Sequence, residues 1–390
     1  MGKRAANGMG SIRQRPDGRW EARYTAPDGR QHSVFGKTQR EASAKLKAAL
    51  QQVDAGSWIE PSKMTVGDWL DVWLRDYLNH TTGRTKETYE CAVNKWFKPT
   101  FGNVRLASFT EMHVRRMVSD MERAGRKPYT VQHHCAILSA AMEQAIHSKL
   151  IRENPVKLVK LKRRNTAVDI HIVDRLQIPA FVAAAEKTDF PNELIFMLFS
   201  GLRVGELRGL RWEDVDLEAG TINVQRQLHA TAHKMQFAPP KNGEQRVIHL
   251  APEAVAILKR QRRRQIEQKL AAGDKWIENT LTSGLVFRQD NGRVHSELSI
   301  YKQVKIAGAE IGMPDLHPHD LRHSYAVAAL RSGADIKAVQ HNLGHKSAKM
   351  TMDVYAKYTE DSGKTGAERL STYIQGALNR DLGQNLGQTD

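Results

Sequence analysis

Cysteine is nearly absent: 390 residues hold two, Cys91 and Cys135. Two thiols cannot build a disulfide framework or a cysteine-based zinc site, and a reducing cytoplasm is the expected compartment. Long apolar runs are missing too. The run Leu194-Ile195-Phe196-Met197-Leu198-Phe199 falls far short of the roughly 20 residues a membrane span needs. No apolar stretch follows Lys3 and Arg4, so no secretory signal is expected. Position six is alanine, not the Ser or Thr of a myristoylation signal. There is no internal repeat and no low-complexity tract. What is present is ordinary globular material. Hydrophobic residues make up 40% of the chain, enough for real cores and against wholesale disorder. At roughly 150 residues per domain, the length suggests two or three domains.

Acidic residues are outnumbered, 43 against 59 Lys and Arg, for a net charge of +16. The excess is uneven: +5 over residues 1–60, +9 over 61–165 and only +2 over 166–390. A basic front and a near-neutral back suit a protein whose front grips a polyanion. Nucleic acid is the first candidate, because neutralising phosphates releases counterions. A merely soluble basic surface is the alternative.

Two Pro-Asp-Gly turns, at 16–18 and 27–29, separate three short segments. Trp20, Ala22 and Tyr24 alternate with Glu21, Arg23 and Thr25 in the middle one. This is the pattern of a three-stranded antiparallel meander. Thr38 and Glu41 then form a capping box before a helix with Leu46, Ala49, Leu50 and Val53 on one face. A sheet bearing Arg13, Arg15, Arg19 and Arg23 is of a kind that enters a DNA groove. Four helical patterns follow. They begin at Thr65 (with a stripe of Val66, Trp69, Leu70, Trp73, Leu74 and Tyr77 at helical spacing), around Tyr89 (stopping near Pro99 and Gly102), at Thr110 and at Thr130, and their short connections imply a helical bundle. A basic strap, Lys157, Lys160, Lys162, Arg163 and Arg164, comes next and is suited to lie along a phosphate backbone. From about 170 the pattern is mainly helical with a small β-element. It includes a strand at 221–224, a hairpin over 237–250 turning at Asn242-Gly243, and a long helix over 251–270. The expected fold is thus α+β but mostly α. Residues 1–60 form a sheet-plus-helix module, 65–156 a helical bundle, 157–170 a linker, and 171–380 a mainly helical domain with a small antiparallel sheet.

Four segments of the last domain could carry chemistry. Gly201-Leu202-Arg203-Val204-Gly205-Glu206 places Arg203 and Glu206 three apart. Pro239-Pro240-Lys241-Asn242-Gly243 puts Lys241 at a hairpin tip. His317-Pro318-His319-Asp320-Leu321-Arg322-His323 places His319 and Arg322 three apart at a helix start. Leu343-Gly344-His345 is followed ten residues later by Tyr355. Two guanidiniums can clamp a phosphodiester and hold the charge that grows on it in the transition state. A tyrosine hydroxyl, a poor nucleophile at its free pKa of about 10, is activated by surrounding positive charge and a histidine. A mobile lysine can protonate a departing sugar oxygen. The set suits metal-free phosphoryl transfer through a covalent phosphotyrosine.

These segments, in this order, resemble the tyrosine recombinase (phage integrase) family over about residues 65–370, and more loosely over the whole chain. The family pattern of Arg, Lys, His-x-x-Arg, His or Trp, and Tyr is filled by Arg203, Lys241, His319, Arg322, His345 and Tyr355. Glu206 takes the acidic position beside the first arginine. The resemblance implies a site-specific DNA recombinase in which Tyr355 forms a 3′-phosphotyrosyl link and frees a 5′-hydroxyl. Arg203 and Arg322 would bind the phosphate, His345 would add a hydrogen bond, and Lys241 would be the general acid. His319 would be a hydrogen-bond donor and candidate general base. The bundle resembles a core-binding domain and the N-terminal module an arm-binding domain. The implied partners are double-stranded DNA with core and arm sites, three further copies in a tetramer passing through a Holliday junction, a DNA-bending host factor and a directionality factor. No metal, cofactor or membrane is implied. The setting is the cytoplasm of a bacterial host, on a phage or other mobile element.

Rival readings remain at this point. Tyr358 lies on the same helix pattern as Tyr355, and spacing favours Tyr355. His317, His319, His323 and Asp320 could be read as the metal cluster of a phosphohydrolase, against which the flanking arginines argue. A non-enzymatic DNA-binding regulator on the same fold and a type IB topoisomerase are further alternatives. Leu370, Tyr373, Ile374 and Leu378 predict a terminal amphipathic helix that packs in cis or in trans.

Overall fold

The computed structural model describes residues 10–55, 63–81, 83–162, 170–230, 235–241 and 243–349, with isolated residues at 352, 371 and 375. The chain divides into two units, Met1–Ala167 and Val168–Asp390.

In the first unit, β1 (Ser11–Gln14), β2 (Trp20–Thr25) and β3 (Gln31–Gly36) form an antiparallel sheet with β2 central. The two Pro-Asp-Gly turns close it, with Gly18 and Gly29 at φ +79° and +76°, values that favour glycine. Alternation sorts the faces. Ile12, Trp20, Ala22, Tyr24 and Val34 pack on α1 (Gln39–Asp54) through Ala42, Leu46 and Ala49. The opposite face carries Arg13, Arg15, Glu21, Arg23, Ser33 and Phe35.

The bundle of the same unit comprises α2 (Val66–Val72), α3 (Gly83–Ala92), α4 (Lys98–Phe101), α5 (Glu111–Arg123) and α6 (Pro128–His147). Thr65 and Asp68 cap α2 reciprocally, at 3.1 and 2.9 Å. Both α2 and α3 run on into a widened π turn, Trp73–Tyr77 and Val93–Phe97. The second helix carries through Pro99 and ends at Phe101 with Gly102 as its cap, where the sequence places its stop. The missing proline N–H falls in the first turn after the register shift, where no donor is required. The tryptophans of the stripe are core: Trp69 donates to the Ala141 carbonyl at 2.9 Å, and Trp73 stacks on Tyr89 at 5.5 Å.

The second unit is built around α8 (Pro191–Ser200), which is buried on nearly every side. Its neighbours are α7 (Ile178–Glu186), α10 (Pro252–Ala272), α11 (Glu297–Glu310) and α12 (Pro318–Arg331). Two short helices, α9 (Val204–Gly209) and α13 (Ile336–Leu343), belong to the same unit. The β-elements differ from the sequence expectation. Strands β4 (Val215–Asp216), β5 (Thr221–Val224) and β8 (Arg246–His249) make one sheet, and β6 (Gln227–Ala230) with β7 (Met235–Ala238) makes another. The segments flanking Lys241 are therefore not a hairpin with each other: β7 pairs with β6, and β8 with β5. Pro239 and Pro240 explain the switch, since two consecutive residues without N–H donors cannot extend a ladder. The inward residues of β8, Arg246 and Ile248, then find their places against β5.

Candidate active site

The site forms where α8 ends. Gly201 caps that helix in the left-handed region, at φ +64°. A β-carbon there would lie 2.5 Å from Tyr325 Cδ1 and 3.0 Å from Leu343 Cδ2. The turn thus requires glycine for both its backbone angle and its crowding. It delivers Arg203 to the N-terminal cap of α9, three residues before Glu206. The Glu206 carboxylate accepts from the Arg203 backbone N–H at 3.0 Å and from its Nη1 at 2.9 Å.

Arg322 reaches the same place from the first turns of α12. Its guanidinium is 1% exposed. Nη1 donates to the Gly201 carbonyl at 2.7 Å and Nη2 to the Leu343 carbonyl, while buried Nε has no partner in the structure. Burial, then the nearby Arg203 charge, pull its pKa down to about 9. It is still a cation at neutral pH, and one whose environment favours an added anion.

Three imidazoles surround these guanidiniums. His319 is open to solvent on one side. Crowding around its ring, and then the charges of Arg322, Arg203 and Lys241, lower its pKa to about 4. His345 follows the αL cap of α13 at Gly344, φ +59°. Burial, Arg322 and Arg203 hold it near 4 as well. His323 packs edge-on against His319, with ring centroids 4.5 Å apart, and burial, His319 and Arg322 take it to about 3. All three rings are neutral at pH 7. Lys241 lies in the exposed turn closed by the Gly243 N–H to Pro240 carbonyl bond at 2.7 Å, close enough for its charge to be felt at His319. A cavity of about 290 Å3, lined by Arg203, Pro240, Glu244, Arg246 and His345 among others, opens beside them.

Sequence reasoning missed Arg246. It is 5% exposed, and its Nη1 and Nη2 donate to the two Glu206 oxygens at 3.0 and 2.8 Å. Burial alone would raise the Glu206 pKa; the hydrogen bonds and charge of Arg246, with the charge of Arg203, overcome it and leave the carboxyl below its ordinary value. A signal was present in Arg246-Val247-Ile248-His249: strand alternation puts Arg246 on the core face with Ile248, where an arginine must have a buried partner. A second feature was invisible in the sequence. Three arginines donate to three successive carbonyls at the end of α13: Arg246 to Asn342 at 2.7 Å, Arg322 to Leu343, and Arg203 to Gly344 at 3.1 Å. A helix C-terminus presents unsatisfied carbonyls and partial negative charge, so it is a natural anchor for cations.

The remaining expected residues fall elsewhere or outside the described ones. Arg13 and Arg23 converge on Glu21, at 2.8 and 3.1 Å. Arg19 pairs with Asp17 at 2.7 Å, and Arg15 lies 5.6 Å from the Phe35 ring centre. In the strap, Lys157 pairs with Glu143 and Lys162 with Glu122, at 2.9 and 3.1 Å, while Lys160 is exposed. Tyr355, Tyr358, Arg163, Arg164, Asn242 and the apolar residues of the terminal segment, Leu370, Tyr373, Ile374 and Leu378, lie outside the described residues. Among the described residues, no group of three or more His, Cys, Asp or Glu side chains is arranged to hold a metal ion. No described helix is long and apolar enough to cross a membrane.

Comparison with known proteins places the chain. The pattern of the "Phage integrase family" matches residues 172–361, that of "Phage integrase, N-terminal domain" residues 8–55, and that of "Phage integrase, N-terminal SAM-like domain" residues 65–121. Prophage integrase IntR of Escherichia coli K12 is 30% identical over 327 residues, covering 76% of this chain and 77% of that protein. The chain belongs to the phage integrase family. It is a site-specific tyrosine recombinase. The integrase of Mycobacterium phage D29 is 26% identical over 88% of this chain and 92% of its own. Among solved structures, the Tn1549 transposon integrase in complex with a circular intermediate DNA shares the recombinase fold at a TM-score of 0.66, with 21% identity over 79% of this chain and 99% of that one. A lambda integrase tetramer bound to a Holliday junction matches at 0.55, with 17% identity over 90% and 96%.

Proposed function

We propose that this recombinase cuts and rejoins DNA with Tyr355 as the nucleophile. The phenolic oxygen attacks a backbone phosphorus, the bond to the 5′-oxygen breaks, and a 3′-phosphotyrosyl link and a free 5′-hydroxyl result. The 5′-hydroxyl of a partner strand reverses the step and releases the tyrosine. Bond energy is conserved in the link, so neither ATP nor a metal enters the balance. Arg203 and Arg322 hold the non-bridging oxygens, where charge grows in the transition state. Neutral His319 is available to take the phenolic proton, neutral His345 to donate a hydrogen bond, and Lys241 to protonate the departing 5′-oxygen. The N-terminal sheet would read arm sites with Arg13, Arg15, Arg19 and Arg23, the bundle core sites, and the 157–164 strap the intervening backbone. Assembly as a tetramer on paired duplexes, exchange through a Holliday junction, and control by bending and directionality factors complete the reading.

The observation that carries it is the cluster of two phosphate-ready guanidiniums, one buried with an unpartnered Nε, beside imidazoles that are neutral at pH 7. The test is a covalent trap. Protein is incubated in EDTA with nicked duplexes from the DNA flanking its gene and run on a denaturing gel beside Tyr355→Phe and Tyr358→Phe. A shifted band lost only in Tyr355→Phe is expected. Loss only in Tyr358→Phe would move the nucleophile. Tight binding with no covalent band from any site would favour a DNA-binding regulator.

A further inference from the structure

We infer that Arg246 is a positioning residue for the phosphate clamp, acting on Arg203 through Glu206 and on the His345 turn through the end of α13. The inference rests on the reading of Arg203 as a phosphate ligand. Arg246 closes a circuit of hydrogen bonds. Its Nη atoms hold both Glu206 oxygens, at 3.0 and 2.8 Å. Glu206 holds the Arg203 backbone and Nη1. Arg203 Nη2 holds the Gly344 carbonyl at 3.1 Å, and two residues back Arg246 Nε holds the Asn342 carbonyl at 2.7 Å. The turn that carries His345 is thereby tied to the arginine cap of α9. Packing is close here: a β-carbon on Gly344 would sit 3.1 Å from Arg246 Nη1.

The circuit has an electrostatic consequence. A carboxylate facing a lone guanidinium pairs with it through both oxygens and neutralises it. Here Arg246 occupies the fork, so Glu206 offers the Arg203 side chain a single bond at 2.9 Å. Two cations share one anion, and the net positive charge stays on the cleft side, where Arg203 lines the cavity. Without Arg246, Glu206 would turn both oxygens to Arg203 and draw it off the phosphate. A lysine keeps the charge but cannot span Glu206 and the Asn342 carbonyl together, because it lacks the planar fork.

Arg246→Met strands a buried carboxylate and is a poor first test, so Arg246→Lys carries the experiment. Single-turnover formation of the covalent band is measured on two nicked duplexes of the same flanking sequence. One has an ordinary scissile phosphodiester, and the other has a methylphosphonate there, which is neutral and makes little demand on a charge clamp. Arg246→Lys is expected to melt within a few degrees of wild type and to bind DNA equally. It should cleave the phosphodiester at least about tenfold more slowly, less than the roughly hundredfold or more that outright loss of a transition-state donor costs, because Arg203 itself is kept, yet cleave the methylphosphonate duplex within about threefold of wild type. Wild-type cleavage of the phosphodiester, an equal deficit on both duplexes, or a melt far below wild type would each overturn the inference; the last two would leave Arg246 a folding residue only. Failure of wild type itself to form the band would bring down the underlying reading instead, which separates the two.

Discussion

Replacing Gly201 with alanine tests the geometry at the head of the site. Two costs add there. The residue holds φ at +64°, which an L side chain adopts at about 1–2 kcal/mol. The new β-carbon also meets Tyr325 Cδ1 at 2.5 Å and Leu343 Cδ2 at 3.0 Å, and overpacking of this kind costs about 1–3 kcal/mol. Neither neighbour yields easily, because the Tyr325 hydroxyl is held by Asn342 at 3.2 Å and Leu343 is fully buried. The expected destabilisation is about 2–5 kcal/mol. Native-state hydrogen exchange of α8 and α12 peptides reads it separately from unfolding of the first unit. Gly312→Ala is the internal control: φ is +76° and nothing lies within 4 Å of the added carbon, so only the backbone cost of about 1–2 kcal/mol should appear. Adding Tyr325→Ala to Gly201→Ala should recover most of the steric part as a positive coupling. If Gly201→Ala costs no more than Gly312→Ala, or if removing the Tyr325 ring recovers nothing, the crowding argument is wrong. Activity should fall with stability, because the Gly201 carbonyl accepts from Arg322 Nη1.

The unliganded protein should lose stability as pH falls from 6.5 towards 4. His319, His323 and His345 have folded pKa values of about 4, 3 and 4 against an ordinary 6.5. The unfolded chain therefore binds protons that the folded chain refuses, and the stability present above pH 6.5 drains away through that window. By pH 4 the loss is on the order of several kcal/mol, with the share of exposed His319 reduced by solvent screening. Urea melts at pH 7.5, 6.0 and 4.5 that superimpose would contradict the imidazole environments. In the N-terminal sheet, Glu21 is pulled to about 2, first by Arg13 and then by Ser33 and Arg23. Glu21→Gln should raise affinity for random duplex by removing a negative charge, yet reduce the preference for flanking-site DNA, since two guanidiniums lose their common anchor. An unchanged preference in competition binding would mean that this face does not read sequence.

The fold was legible wherever local chemistry was strong. Pro-Asp-Gly turns announced the meander, Thr65 announced the start of α2, and the Trp69, Leu70 and Trp73 stripe announced a buried face. It was misread where one local signal outweighed a longer-range one. Asn242-Gly243 between two strand-like segments favours a hairpin, but the turn around Gly243 joins strands of different sheets. The decisive residues were Pro239 and Pro240, whose missing donors end one ladder before the next begins. At the site, chain order could name Arg203, Lys241, His319, Arg322 and His345, but not the carbonyls that hold the arginines, since a backbone oxygen leaves no mark on a sequence.

Those carbonyls bear on how so much positive charge is tolerated. Arg203, Arg246 and Arg322 converge with one carboxylate between them, which isolated Coulomb repulsion would not permit in a partly dry pocket. Each guanidinium instead spends a donor on the end of α13, where carbonyls 342, 343 and 344 lack helical partners. The arrangement satisfies acceptors that would otherwise be orphaned and sets partial negative charge behind the cations. It does not neutralise them: a helix end carries about half a charge, Glu206 carries one, and three guanidiniums face them. The surplus is what a phosphodiester would meet, and it adds to the burial that keeps His319 and His345 neutral. The same imbalance therefore supplies the anion affinity and, together with burial, the unprotonated imidazoles that the proposed chemistry requires.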